Sequence, residues 1–93
     1  MPGSSEQAIT LTGDLHARPA GALAVAAARF SSAVSLTVRG GSTADAKSVL
    51  GVMGLGATSG QQVTVSAEGS DAAAAVAAIA AILAQATPVG NAG

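Results

Sequence analysis

The chain contains no cysteine. That excludes disulfides, thiolate metal sites and a cysteine nucleophile, and it removes any reason to expect an oxidising compartment. Tryptophan and tyrosine are also absent, and Phe30 is the only aromatic residue, so no stacking platform for nucleic-acid bases can be assembled. Charge is sparse and nearly balanced: four basic residues stand against five acidic ones, a net charge of −1. Without a basic field to hold a phosphate backbone, nucleic acid is not an expected partner. The longest apolar run, Ala72 to Ala84, is mostly alanine and falls short of the ~20 residues a membrane span requires, so no membrane insertion is expected. Residues Met1 to Glu6 lack the basic region and apolar stretch of a secretory signal, which makes the cytoplasm the expected location.

What remains is a chain that is 49% hydrophobic, built from Val, Leu, Ile and Ala. Its 93 residues suffice for one domain, spanning 1–93, with residues 1–6 and 87–93 expected as disordered ends. A small-residue core needs close backbone approach, which suits helices lying tightly on a sheet. Ile9 and Leu11 alternate with Thr10 and Thr12 between Gln7 and Thr12, the period of a half-buried strand. Pro19 suits the first turn of a helix running to Phe30, because its missing N–H would be unpaired there anyway; Leu23, Ala26, Ala27 and Phe30 share one face. Val34 to Val38 alternates again, and Gly40-Gly41 reverses the chain into a brief strand at Ser42 to Ala44. A short helix within Ala46 to Leu55 is broken by glycines. Val63, Val65 and Ala67 make a last strand. Ser70 and Asp71 open a final helix, with Val76, Ile79 and Leu83 as its buried stripe. The order βαββαβα, with strands apolar on one face only, predicts an α+β fold: an antiparallel sheet covered by helices on one side.

Reactive side chains are few. His16 lies just ahead of the helix marked by Pro19, where the unpaired amides of Ala17, Arg18 and their neighbours converge on an anion site. Arg18 adds a guanidinium that matches phosphoryl oxygens. The same positive field disfavours imidazolium and leaves a neutral imidazole, which is a nucleophile. Two readings follow, a phosphohistidine carrier or a surface histidine near a helix start, and spacing alone does not choose between them. A metal site is weak, because Asp14 and Glu6 are a poor ligand set and there is no second His. A hydrolytic triad from Asp14, His16 and a serine is weaker still. Ser48 is an N-cap serine or a phosphosite, and a helix start tolerates both. Val49, Leu50, Val52, Met53 and Leu55 are too many for one buried stripe of so short a helix, so some belong to the core and some to an exposed contact patch. Gly51, Gly54 and Gly56 have no following Lys-Ser/Thr and make no nucleotide cradle.

Leu15-His16-Ala17-Arg18-Pro19-Ala20 resembles the active-site signature of the HPr family, the histidine-containing phosphocarriers of the bacterial phosphoenolpyruvate-dependent sugar phosphotransferase system. Ala46 to Ala57, Ala-Lys-Ser-Val-Leu-Gly-Val-Met-Gly-Leu-Gly-Ala, is similar to that family's regulatory serine segment. The resemblance extends from about Gln7 to Gln85. It implies an open-faced β-sandwich of four antiparallel strands and three helices, acting as a carrier rather than an enzyme and needing no cofactor. It further implies that His16 accepts a phosphoryl group on Nδ1 from phosphorylated Enzyme I and passes it to sugar-specific IIA proteins, with Arg18 stabilising the phosphate. Ser48 would be modified from ATP by an HPr kinase/phosphorylase, with a transcriptional regulator as a further partner. The expected docking set is Ala20, Val49, Leu50, Gly51, Val52, Met53 and Leu55. Asp14 departs from the pattern: the family commonly has Gly there, and a carboxylate would stiffen the approach to His16 or sit beside an anion site.

Overall fold

A computed structural model describes residues 3–14 and 17–84. Strands β1 (Gly3–Thr10), β2 (Ala33–Val38), β3 (Thr43–Asp45) and β4 (Gln62–Gly69) alternate with helices α1 (Ala17–Ala28), α2 (Val49–Gly54) and α3 (Ala72–Ala84) in the order βαββαβα. The strands form one sheet in the order β1-β4-β2-β3, and every pairing is antiparallel. Alternation sorts their side chains. Val34, Leu36 and Val38 of β2 and Val63, Val65 and Ala67 of β4 point into the core, while the residues between them are more exposed.

The helices close that core from one side. Ala20, Leu23 and Ala27 of α1 are fully buried, and α3 buries Ala72, Ala75, Val76, Ile79, Ala80 and Leu83. Their spacing of three and four residues puts them on one helix face. All but Ala80 join the strand residues in a single cluster, against which Ile9, Ala26, Phe30, Leu55 and Ile82 pack. Burying a side chain such as Ile79 or Leu83 is worth about 1.5–3 kcal/mol. The alanines contribute less per residue but let α1 and α3 lie close together.

Two expectations need correction. Residues 3–6, expected as part of a disordered end, belong to β1: Gly3, Ser4, Ser5 and Glu6 pair with Gly69, Glu68, Ala67 and Ser66 of β4. Main-chain pairing along β4, not side-chain burial, puts this polar stretch in the sheet. The third strand is shifted by one residue, to Thr43–Asp45. The second helix is short and starts just after Ser48, as expected, because the amides of Ala46 and Ser48 bond to the carbonyls of Val34 and Asp45 and hold 46–48 outside it. Met1, Pro2 and the expected disordered end 87–93 lie outside the described residues.

Asp71 precedes α3 as expected, but its carboxylate turns away from that helix. Oδ2 accepts the Ser31 amide at 2.9 Å and the Ser31 hydroxyl at 3.4 Å, while Oδ1 accepts the Ser32 amide at 2.9 Å and the Ser32 hydroxyl. One carboxylate thereby ties the start of α3 to the chain leading into β2. The Ser32 hydroxyl, followed by the Ser31 amide, holds the Asp71 carboxyl down from 3.8 to about 2. Because the folded value lies below the unfolded one, this contribution to stability is complete above pH 3.8 and is lost as pH falls from there through about 2. The thermal midpoint followed by circular dichroism should therefore drop across that window, and Asp71→Asn should flatten the drop. An equal slope in the variant would refute the assignment.

Candidate functional site

Helix α1 begins at Ala17, with Arg18 and Pro19 in its first turn. Proline is tolerated there because the first amides of a helix have no intrahelical acceptor. Those open amides and the helix dipole make the end electropositive. No acidic residue occupies the first turn, and Arg18, exposed at the second helical position, adds a further positive charge. A cation at this end of a helix is unfavourable for folding alone and favourable for holding an anion. His16 lies outside the described residues, next before Ala17 in the chain. Of Ala17, expected to contribute its amide, the structure describes only the main chain as the opening of α1.

Ser48 caps α2. Its backbone is extended, with φ −107° and ψ 113°, and its Oγ accepts the Gly51 amide at 3.0 Å. Gly51 permits this approach, since a Cβ there would lie 3.1 Å from the Ser48 Oγ and 3.2 Å from its Cβ. Helix α2 packs against α1 and β3. Leu50 is 82% exposed, and Val49 and Met53 are each 39% exposed. Together they form an apolar patch beginning at the residue after Ser48.

Two members of the expected docking set are elsewhere. Ala20 and Val52 are both fully buried and take part in the core, because they lie on the inner faces of α1 and α2. Leu55 is half-buried against the core, and Gly51 is half-buried beneath the Ser48 cap. The exposed part of the set is thus Val49, Leu50 and Met53.

Two contacts around the site carry no local sequence signal. The Lys47 ammonium donates to the Phe30 carbonyl at 3.0 Å, so the residue before Ser48 is tied to the chain just beyond α1. The Asp14 carboxylate accepts the Ser59 amide at 2.9 Å, across 45 positions of sequence. It fastens the segment before α1 to the turn that precedes β4.

An antiparallel sheet with helices on one side, an electropositive helix start beside the chain's single histidine and an adjoining apolar helix define a small α+β domain suited to accept an anionic group and meet a protein partner. The comparisons with known proteins agree. The family model described as the PTS HPr component phosphorylation site matches residues 4–85. The HPr of Bacillus anthracis strain Ames has a crystal structure that superposes with a TM-score of 0.78 at 34% identity, covering 87% of this chain and 98% of that one. The histidine-containing phosphocarrier protein of Mycoplasma gives a TM-score of 0.73 at 33% identity, covering 89% and 99%. A multiphosphoryl transfer protein of Xanthomonas campestris pv. campestris is 45% identical over 69 residues, 74% of this chain, but the chain spans only 8% of that protein's length. The chain belongs to the HPr family of the phosphotransferase system.

Proposed function

We propose that His16 is the phosphoryl acceptor, that Enzyme I supplies the group and that sugar-specific IIA proteins receive it, all in the cytoplasm. The observation that carries this reading is the opening of α1: an exposed Arg18 and no acidic residue in the first turn, immediately after the single histidine. In the first transfer, His16 Nδ1 forms a bond to phosphorus as the donor's bond to phosphorus breaks, and the second transfer repeats this exchange toward the IIA histidine. Nothing is oxidised or reduced. Arg18 and the open amides of Ala17 and Arg18 stabilise the charge spread over the three phosphoryl oxygens. The chain acts as a covalently modified carrier rather than an enzyme, and Val49, Leu50 and Met53 are its docking contacts. The test is incubation with Enzyme I and labelled phosphoenolpyruvate: the chain should acquire an acid-labile, base-stable phosphate, and an unlabelled chain would contradict the reading.

Ser48 is the regulatory site in this reading. A phosphate there adds about −1.5 to −2 charges at the edge of the patch and repels an acidic partner face. An HPr kinase/phosphorylase would write the mark and a transcriptional regulator would read it. Ser48→Asp should slow phosphorylation by Enzyme I by about tenfold, with the loss largely in association and smaller at high salt. Ser48→Ala should leave the rate unchanged while removing about 1 kcal/mol of stability through the lost cap. Equal transfer rates in the Asp variant and the parent chain would remove Ser48 from the mechanism.

A further inference from the structure

We infer that Asp14 is a positioning residue for phosphoryl transfer, acting through its hydrogen bond to the Ser59 amide rather than through its charge. The inference rests on His16 being the acceptor.

The bond belongs to a clamp. The Leu11 amide donates to the Gln61 carbonyl at 2.9 Å, and the Gly60 amide donates to the Leu11 carbonyl at 2.8 Å. These two main-chain bonds fasten the chain leaving β1 to the turn at 58–61. Asp14 adds a third bond three residues farther along, at 2.9 Å. The turn is a firm anchor. The Gln61 side chain accepts the Thr58 amide at 2.7 Å, the Gln61 amide returns to the Thr58 carbonyl at 3.1 Å, and Ala57 just before it is buried in the core.

On the other side of His16 the chain is fixed again, because α1 begins at Ala17 and roots itself through the fully buried Ala20 and Leu23. With the Asp14 bond made, Leu15 and His16 alone separate the two anchors. Without it, the next hydrogen-bonded anchor among the described residues is Leu11, with Gly13 buried in between, and as many as five residues separate the anchors. The conformations open to a short tethered segment grow quickly with its free length, and transfer depends on presenting the acceptor nitrogen in line with the incoming phosphorus. Asp14 is exposed, and its carboxylate brings both a hydrogen-bond acceptor and a charge. Separating hydrogen bond from charge is therefore the purpose of the experiment.

Single-turnover transfer from phosphorylated Enzyme I would be measured on the full chain and on Asp14→Asn, Asp14→Glu and Asp14→Ala, together with hydrogen exchange at the Ser59 amide. Asn keeps an acceptor at the same reach without the charge, whereas Glu keeps the charge and displaces the acceptor. Asp14→Asn should transfer within about threefold of the parent. Asp14→Glu and Asp14→Ala should be slower by about tenfold, with the KM for Enzyme I changed by less than about twofold and the Ser59 amide exchanging faster. Losses in Asn matching those in Ala would assign the effect to charge and overturn the inference. Parent-like transfer in Glu and Ala with the Ser59 amide freed would overturn it too. If Ala does not fold, the Asn and Glu pair still decides. Absence of label on the parent chain, or label on a residue other than His16, would instead defeat the reading of His16 as acceptor.

Discussion

Replacing Gly69 with alanine should remove much of the fold's stability. Gly69 ends β4 with φ +148°, a conformation side chains rarely adopt, and an added Cβ would sit 2.5 Å from the Ser32 Oγ, 2.8 Å from its Cα and 3.0 Å from its Cβ. The Cα belongs to the main chain and cannot swing aside, and Ser32 is itself buried. The methyl group must therefore push the entry to β2 away from the end of β4. Overpacking of this kind costs about 1–3 kcal/mol and a strained backbone about 1–3 kcal/mol more, against the roughly 5–15 kcal/mol that holds a small domain together. The displacement also separates Ser32 from Asp71, so the Asp71 carboxyl should titrate closer to its ordinary value. Urea unfolding and an NMR titration of Asp71 measure both effects. A stability change below about 1 kcal/mol with the Asp71 titration unmoved would show that the contact yields freely. Gly21→Ala is the control of opposite sign: nothing lies within 4 Å of a Cβ there, and alanine in the interior of α1 should add about 0.5–1 kcal/mol.

The contrast between these glycines shows which parts of the molecule were legible in its sequence. The alternation of Val34, Leu36 and Val38, and of Val63, Val65 and Ala67, is a local pattern, and it assigns their strands and inner faces correctly. The stripe Val76, Ile79, Leu83 does the same for α3. Features that depend on residues distant in sequence were not legible. Ser4 to Glu6 carry no strand pattern, and only the paired backbone of β4 makes them one. Asp71 reads as a helix-start acid, yet its hydrogen bonds cross to Ser31 and Ser32. Gly69 gives no sign of the Ser32 backbone against it.

At the site, His16, Arg18 and Pro19 are contiguous enough for the chemistry of a helix start to be read directly. The Ser48 cap follows from local spacing as well, since its acceptor and the Gly51 donor are three residues apart. Which apolar residues near Ser48 face outward does not follow. Val52 and Leu50 are equally apolar, and only the packing of α2 against α1 and β3 buries one and exposes the other. Ser59 was invisible as a partner of Asp14 for the same reason.

The substitution with the largest expected functional effect is His16→Ala. The chain has one histidine and no cysteine, so no other side chain offers a neutral nitrogen or thiolate nucleophile for an acid-labile phosphate. Among the described residues, the stability of the domain rests on buried Val, Leu, Ile and Ala side chains and on the Asp71 network. Transfer should therefore disappear entirely in this variant while its unfolding midpoint stays within a few degrees of the parent, about what 0.5 kcal/mol corresponds to in a domain of this size.

Mapping the phosphate after incubation with Enzyme I and labelled phosphoenolpyruvate, on the parent chain and on His16→Ala side by side, is the most direct measurement. One base-stable phosphoryl group on His16 of the parent, and none on a folded variant, is the expected result. Label on any other residue, or label retained when His16 is gone, would contradict the assignment of the α1 start as the acceptor site.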